Sequence, residues 1–415
     1  FTIEFKDKLD TQIEKYVEGI SPGMAVGIVK DSEVVYQKYI GYSNLENQTE
    51  IDENTSFNIA SNAKQFTALC ILKLIEDGKL KLEDDIRTYL PNLYKNIEYE
   101  ITISNLLTHT SGIRDYCDLM ALQGRTWWKL FIDNDDAIEL LESQTDLNFK
   151  PGTEYLYSNS NYILLTEIVK KISGENFSAY AKSIFAELDM SSTGFLTNYM
   201  AIIPNKARPY GNWGSWREYP VITEVHGDGA LFTTLIDQLK WEQIIQNNDG
   251  NYISEQIIEK SQIPITNNNG YGLMFDTYKG QEYAYHNGNT GAYNATFLRF
   301  PNENLAVVVM SNNGNVSTNY LAKQRVDIVL KYEDVKTAPS DYPSHPDKVE
   351  RLKDVKRITG IYKNEDGSII RITEKDGSLY RELYQQESVK LINEEEGLFY
   401  YESIEDLKIN FENIG

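Results

Sequence analysis

Strand-like segments stand at both ends of the first 330 residues of this chain, and helical patterns fill the interval between them. The apolar runs with strand character are 24–29 and 34–36 near the start, and 283–285, 295–300 and 305–310 near the end. Between 61 and 246 the apolar residues recur mostly with helical spacing. We therefore predict an α+β fold in which one antiparallel sheet is built from both ends of a domain, with flanking helices and a mostly helical insertion.

The rest of the chain predicts a second, smaller unit. Residues 3–20 and 318–332 have helical spacing and flank the predicted sheet, which gives a first domain over 1–335. Residues 336–350 contain Pro339, Pro343 and Pro346 with little apolar content and indicate a linker. Short strand-like runs separated by turn signals follow, so 351–415 predicts a small antiparallel β-meander. It is short for a closed barrel, and an incomplete lipocalin-like unit is one interpretation.

Composition narrows the class of partner. The formal net charge of −22 over 415 residues argues against nucleic acid, because phosphate binding needs basic surface. No run of 18 apolar residues occurs, so we expect no membrane span in this sequence. Two cysteines do not form a disulfide framework and leave the compartment open. The chain begins at Phe1, which fits either removal of a signal peptide or shortening of the sequence.

Ser61 and Lys64 form the strongest chemical signal. The apolar run Phe66, Leu69 and Leu72 that follows predicts a helix beginning at or near Ser61. Residues three apart lie on one helix face, so the Lys64 amine is expected to reach the Ser61 hydroxyl. A hydroxyl, a nearby base and the free N–H groups of a helix start are what serine acyl transfer needs. The alternative is a capping serine followed by a solvent-facing lysine.

A second candidate is the segment Tyr157-Ser158-Asn159. It follows the Pro151-Gly152 turn and precedes a helical pattern over 161–172. Tyr157 offers a phenol as a general base or proton shuttle, and Asn159 offers an amide for a substrate carbonyl. Because Y-x-N occurs six times in the chain, only this context singles it out, and a structural turn tyrosine is the alternative.

A third candidate is the segment His286-Asn287-Gly288. A glycine at 288 on a strand edge predicts close approach of a substrate backbone, and the Asn289 N–H is expected to pair with that of Ser61 as an oxyanion hole. His286 is a candidate donor to the substrate or to Tyr157. The alternative is a Gly-rich hairpin with an incidental histidine.

Other catalytic signatures are missing from the sequence. It has no G-x-S-x-G elbow, no H-E-x-x-H and no G-x-x-x-x-G-K phosphate loop. The four histidines include His109 and His226, which we interpret as structural. No cysteine–histidine cluster suggests zinc, and we predict neither a metal nor an organic cofactor.

The three candidate segments, in this order and spacing, resemble the three motifs of the serine β-lactamase and penicillin-binding protein superfamily. The flanking segments 57–60, 106–112, 151–159 and 229–234 are similar to the class C β-lactamase-related branch. The resemblance covers roughly residues 8–332 and implies a penicillin-binding fold. It also implies an acyl-enzyme at Ser61.

The resemblance assigns each candidate a role. Lys64 would deprotonate Ser61 or support Tyr157, which would pass the proton to the leaving group. Asn159 would bind a substrate amide, and the main-chain amides of Ser61 and Asn289 would hold the oxyanion.

His286 stands where many β-lactamases of this superfamily have lysine. With an ordinary pKa, histidine is only about a quarter protonated at pH 7, so a fixed cation for a substrate carboxylate is missing. Relatives with H-x-G include D,D-peptidases, D-aminopeptidases and esterases, so we expect a serine hydrolase for D-amino-acid peptides or amides. Alternatives are a carboxylesterase, a weak class C-like β-lactamase, or a penicillin-binding protein or non-catalytic relative without turnover.

The resemblance further implies a small-molecule or peptide partner, such as a β-lactam or a cell-wall peptide. It also implies an extracytoplasmic location, although a cytoplasmic one stays open. The sequence does not indicate an oligomeric state.

Overall fold

The computed structural model divides the chain into two compact units, residues 1–332 and 333–415. It describes residues 3–125, 130–219, 222–248, 250, 253–266, 268–331, 359–363, 369–375, 378–383, 389–395, 398–401 and 404–410. The predicted linker 336–350 lies outside these residues.

Strands occur throughout both units. They are β1 Met24–Lys30, β2 Glu33–Ile40, β3 Tyr42–Asn44, β4 Thr49–Glu50, β5 Phe57–Asn58, β6 Gly194–Phe195, β7 Tyr210–Asn212, β8 Trp216–Glu218, β9 Leu231–Thr233, β10 Met274–Tyr278, β11 Gln281–Thr290, β12 Tyr293–Phe300, β13 Leu305–Ser311, β14 Gly360–Lys363, β15 Ile369–Lys375, β16 Ser378–Leu383, β17 Val389–Glu395, β18 Leu398–Tyr401 and β19 Ile404–Asn410.

The main sheet has six strands in the order β10-β11-β12-β13-β1-β2. All of its neighbours are antiparallel, and β1 from the chain start pairs with β13 from the end of the first unit. The predicted sheet built from both ends is therefore confirmed. A second, small sheet has the strand order β5-β9-β6, with Leu231–Thr233 as its central strand.

Helices occupy both ends and the middle of the first unit. They are α1 Ile3–Glu14, α2 Lys64–Glu76, α3 Ile103–Leu107, α4 Tyr116–Leu122, α5 Asn134–Glu142, α6 Asn159–Ser173, α7 Phe177–Glu187, α8 Leu235–Asn247, α9 Glu255–Ser261 and α10 Thr318–Val329. The helix expected to reach residue 20 ends at Glu14, where hydrogen-bonded turns close at Tyr16 and Val17. The predicted helical insertion is confirmed.

The main sheet separates two apolar cores. Along β1, Ala25 and Val29 face a core shared with α2, α6 and α8, whereas Val26 and Ile28 face a core shared with α1 and α10. Side chains alternate across a strand, so a strand buried on both faces must be apolar throughout, as β1 is. This packing makes the sheet a rigid support for the segments at its edge.

The second unit is one antiparallel sheet of six strands in sequential order, β14 to β19. The described buried side chains in this sheet are Ile372, Leu379 and Leu391. The meander matches the sequence pattern. The lipocalin-like interpretation stays a prediction.

Candidate active site

Ser61 lies in a short turn that connects β5 to α2. Residues Ala60–Ala63 form a 3-10 turn and α2 begins at Lys64, so Ser61 precedes the helix that we expected it to start. Ala60 has a φ of 48°, a conformation that non-glycine residues adopt rarely. The Asn58 side chain accepts a 2.9 Å hydrogen bond from the Ala60 N–H, and the Asn62 side chain donates a 3.1 Å bond to the carbonyl of Ala295 in β12. These bonds fix the turn on the sheet and leave Ser61 half-buried at the surface.

Lys64 is fully buried beneath Ser61. Its Nζ lies 3.1 Å from Ser61 Oγ, 2.9 Å from Asn159 Oδ1 and 2.6 Å from the backbone carbonyl oxygen of Asp228. The ammonium position also lies 5.0 Å from the centre of the Tyr157 ring. A solvent-facing lysine is therefore excluded, and the side chain is held by partners from three separate segments.

Tyr157 is the second side chain that contacts the Ser61 hydroxyl. Its hydroxyl donates to Ser61 Oγ at 3.2 Å, so the hydroxyl of Ser61 lies between an amine and a phenol. Burial raises the pKa of Tyr157 well above its usual value of 10. The phenol is therefore a proton donor at neutral pH and accepts a proton only after losing its own.

Asn159 begins α6 with both ends of its side chain engaged. Its Oδ1 accepts from Lys64, and its Nδ2 donates to Asp115 Oδ2 at 2.9 Å. An amide has two N–H groups and two oxygen lone pairs, so one of each remains for a substrate amide. The structure thus brings Ser61, Lys64, Tyr157 and Asn159 together, and their catalytic roles stay predictions.

His109 packs directly against the Tyr157 ring, with ring centres 4.4 Å apart and planes at 29°. Its Nδ1 accepts from the Ser158 N–H at 3.2 Å, and burial lowers its pKa well below 6.5. His109 is therefore a neutral support for Tyr157, which agrees with its structural interpretation. Its place next to the phenol was not predicted. His226 is also structural, since its Nδ1 lies 2.9 Å from the Glu224 carbonyl oxygen.

His286 is buried on β11, and its predicted role as a donor needs correction. Its Nδ1 lies 2.7 Å from the carbonyl oxygen of Asn287, which can only accept, so Nδ1 carries the proton. Burial, with a smaller effect of Lys64, lowers the pKa of His286 to about 3. The ring is neutral at pH 7 and presents Nε2 as an acceptor. The expected partial positive charge is absent because the ring is desolvated.

Gly288 makes a close approach to the protein's own backbone. A Cβ at this position would lie 2.3 Å from the Ile59 carbonyl oxygen and 2.9 Å from Asn62 Nδ2. The glycine therefore admits the turn that carries Ser61, and close approach of a substrate backbone at this position stays a prediction.

The outer edge of β11 still reaches the site. Among the described residues, β10 pairs with β11 only as far as Tyr285, so the edge from His286 to Thr290 has no strand partner on that side. Asn289 lies on this stretch, and its contribution to an oxyanion hole stays a prediction.

Two buried charges oppose each other near Ser61. Burial lowers the pKa of Lys64 from 10.5 to about 8, against the raising effects of Asp228 and Asp115. Burial also raises the pKa of Asp228 from 3.8 to about 6, and the Tyr116 hydroxyl is 3.5 Å from its carboxylate. Perturbed titratable groups in a cleft are typical of functional sites. Neither Asp115 nor Asp228 was predicted from the sequence as part of the site.

The described residues hold no group of three or more histidine, cysteine, aspartate or glutamate side chains arranged to bind a metal ion. None of the helices in the described part of the chain is long and apolar enough to cross a membrane.

Comparison with known proteins agrees with this geometry. The family described as Beta-lactamase matches residues 9–330, and the chain belongs to this family. The putative penicillin-binding protein PbpX of Bacillus subtilis (strain 168) is 32% identical over 268 residues, which are 64% of this chain and 64% of that protein. The chain spans just under two thirds of the length of PbpX and of protein flp of Staphylococcus aureus (strain MRSA252), 64% and 65% respectively.

Solved structures place the fold in the same group. The octameric penicillin-binding protein homologue from Pyrococcus abyssi is 25% identical, with a TM-score of 0.70 over 95% of this chain and 92% of its own. The D-amino acid amidase from Ochrobactrum anthropi SV3, complexed with L-phenylalanine amide, is 19% identical, with a TM-score of 0.61 over 79% of this chain and 98% of its own. At that identity the amidase shows the shared fold alone.

Proposed function

We propose that this protein is a serine hydrolase that forms an acyl-enzyme at Ser61. The observation that carries the proposal is the set of partners around Lys64. A neutral amine has two N–H donors and one lone pair. The oxygens of Asn159 and Asp228 take the two donors, which leaves the lone pair for the Ser61 O–H. Lys64 in this form is the base that accepts the Ser61 proton as the hydroxyl attacks a carbonyl carbon.

The remaining groups complete an acyl transfer. The Tyr157 hydroxyl gives its proton to the leaving amine or alcohol and regains one from Ser61 through Lys64. The main-chain N–H groups of Ser61 and Asn289 hold the oxygen of the tetrahedral intermediate. Asn159 uses its spare donor and acceptor on a substrate amide. Water then hydrolyses the ester at Ser61 and releases the acid.

The substrate class that we propose is a D-amino-acid peptide or amide. Neutral His286 supplies no positive charge for a substrate carboxylate, which disfavours the anionic β-lactams as natural substrates and, within the proposed class, favours uncharged amides over peptides with a free carboxylate. The similarity to penicillin-binding proteins and the fold shared with a D-amino acid amidase support the same class. Similarity to penicillin-binding proteins also supports an extracytoplasmic location, which we propose with the substrate class.

Intact mass spectrometry tests the proposal. The protein is mixed with benzylpenicillin, a p-nitrophenyl ester and a D-Ala-D-Ala peptide, and followed over time beside a Ser61→Ala variant. We expect acyl adducts that need Ser61, and faster turnover of ester or peptide than of penicillin. Equal product formation by the wild-type protein and the Ser61→Ala variant would refute the proposal.

A second candidate is a penicillin-binding protein without turnover, which the similarity to PbpX favours. The same experiment separates the two functions. A penicillin adduct on Ser61 that persists while no ester or peptide is released as product assigns this function instead. Rapid turnover of penicillin would assign the β-lactamase alternative, and turnover of the ester without the peptide would assign the esterase.

A further inference from the structure

The start of α6 is held by hydrogen bonds to several residues of the segment 109–116. Ser158 N–H donates to His109 at 3.2 Å. Ser160 Oγ donates to the Arg114 carbonyl and accepts from the Tyr116 N–H, both at 2.8 Å. These bonds tie the segment that carries Tyr157 to a loop far from it in sequence.

Asp115 connects this loop to Lys64, because it contacts Asn159 and Asn159 contacts Lys64. Its Oδ2 accepts from the Asn159 backbone N–H at 2.6 Å and from Asn159 Nδ2 at 2.9 Å. Its Oδ1 accepts from the Cys117 N–H at 2.8 Å and caps α4. One carboxylate therefore links the starts of two helices.

The carboxylate also decides which way the Asn159 amide points. An ionised carboxylate accepts hydrogen bonds and cannot donate them, so the Asn159 NH₂ must face Asp115. The Asn159 oxygen then faces Lys64 Nζ at 2.9 Å. If the Asn159 amide were reversed, its N–H groups would face the N–H groups of Lys64, and neither could accept a hydrogen bond from the other.

We propose that Asp115 is a positioning residue that acts on Lys64 through Asn159, by fixing the orientation of the amide that orders the Lys64 amine under Ser61. The inference rests on the proposed function, because it concerns the base of that reaction. Asp115 also places a negative charge near Lys64. The group therefore has two effects, one on geometry and one on ionisation, which can be measured separately.

Several titratable groups face Lys64 and share in its ionisation. They come from the loop before α4 and its first turn, from the start of α6, from the loop before β9 and from β11: His109, Asp115, Cys117, Tyr157, Tyr162, Asp228 and His286. The carboxylates Asp228 and Asp115 raise the pKa of Lys64, and burial lowers it. Removal of the Asp115 charge must therefore lower the pKa of Lys64 further.

Asp115→Ser is the informative variant. Serine caps helices about as well as aspartate, so its hydroxyl can still accept from the Cys117 N–H, but it has no second oxygen for Asn159. Asp133→Ser is the matched control, since Asp133 also caps a helix, α5, by accepting from the Asp136 N–H, and in the described part of the chain its carboxylate has no hydrogen bond to Lys64 or Asn159. Asp115→Asn is a second variant that keeps the size of the side chain and removes its charge.

The measurement is the pH profile of the acylation rate with p-nitrophenyl acetate, followed on the full chain. We expect Asp115→Ser to lower the plateau about 10- to 100-fold, because small misplacement of a catalytic group is costly. We also expect its rising limb to move to lower pH. Asp115→Asn should show the same shift of the limb with a smaller loss of rate, and Asp133→Ser should match the wild-type protein.

Two results separate failure of the inference from failure of the proposed function. An unmoved limb in both Asp115 variants, with rates like that of Asp133→Ser, overturns the positioning role while acylation of Ser61 stands. Absence of acylation in the wild-type protein overturns the proposed function itself. If Asp115→Ser is unfolded by circular dichroism, the limb of Asp115→Asn decides, because loss of folded protein lowers a rate without moving its pH dependence.

Discussion

Lys64 sets the pH dependence that we expect for acylation of Ser61. Its pKa is lowered to about 8 by burial, and the neutral form is the one that acts as a base. The neutral fraction grows as pH rises, so the acylation rate should increase about tenfold per pH unit below the pKa and level off above it. Stopped-flow acylation by a p-nitrophenyl ester between pH 5 and 10 measures this.

Asp228 is the alternative base that the same measurement distinguishes from Lys64. Its pKa is raised to about 6, so a rising limb near that value would indicate a carboxylate base. We expect Asp228→Asn to keep a single limb and to move it to lower pH, because Asp228 raises the pKa of Lys64. Loss of the limb in that variant would contradict the assignment to Lys64.

Tyr157 is expected to matter most when the leaving group is a poor one. An amine must be protonated as it departs, whereas p-nitrophenolate leaves without help. Tyr157→Phe should therefore lower turnover of an amide about 100- to 1,000-fold and lower ester acylation much less. Tyr162→Phe is the control, since the centre of the Tyr162 ring lies 5.6 Å from Lys64 Nζ while its hydroxyl donates to the Leu107 carbonyl and not to Ser61.

The ratio of amide to ester rates is the useful quantity here, because a change in the amount of folded enzyme affects both rates equally. Equal losses on amide and ester in Tyr157→Phe would contradict a proton-donating role and would indicate that the phenol only positions Ser61.

The sequence predicts the residues that meet at Ser61 better than it predicts those that orient them. Lys64 is identifiable because it lies three positions after Ser61 in a stretch with helical spacing. Asp115 has no such spacing, because its contact with Asn159 depends on how two helix starts meet in space. The available signal was an aspartate at a helix N-cap, which many helices share. The charge state of His286 was also unpredictable, since it depends on burial.

At the level of elements, the contact between β11 and the 3-10 turn determines where Ser61 stands. A Cβ on Gly288 would lie 2.3 Å from the Ile59 carbonyl oxygen, which is backbone and cannot rotate away. Gly288→Ala should therefore displace the turn and cost about 1–3 kcal/mol of unfolding free energy. It should also lower the acylation rate at Ser61 more than this loss of stability explains.

Gly194→Ala is the matched control for the glycine substitution. Gly194 lies in β6 and has no heavy atom within 4 Å of the position of an added Cβ. We expect its stability to change by less than about 1 kcal/mol and its acylation rate to be unchanged. Urea unfolding and burst acylation measure both quantities. A Gly288→Ala variant that matches this control would contradict the close approach.

Long helices and strands could be predicted from the sequence, whereas the shortest strands could not. The apolar strand β13 and the helix α6 have enough residues to show a period, whereas β5 and β6 have two residues each and exist because β9 pairs with them. The 3-10 turn at Ser61 could not be predicted either. It runs directly into α2, so its residues have the same helical spacing as that helix. Such short elements are positioned by their neighbours in space, which a local sequence pattern does not show.

At the scale of the whole molecule, the apolar cores described for the first unit are built from residues of that unit. Among the described residues, the apolar clusters on either side of the main sheet are formed by side chains up to Leu330, and β14 to β19 form a sheet of their own. Deletion of 336–415 should therefore leave a folded first unit. We expect a cooperative thermal transition within a few degrees of that of the full chain, and an acylation rate by a p-nitrophenyl ester within about twofold.

The same deletion tests whether the second unit limits substrate size, which we propose from its position after a proline-rich linker. A small ester and a long D-Ala-D-Ala peptide are compared in the full chain and in the shortened one. A limit on size predicts that the rate on the long peptide rises while the rate on the ester is constant, because only the larger substrate would be obstructed. An unchanged ratio would contradict that role and favour a stabilising or dimerising module, which sedimentation of the two forms would then distinguish.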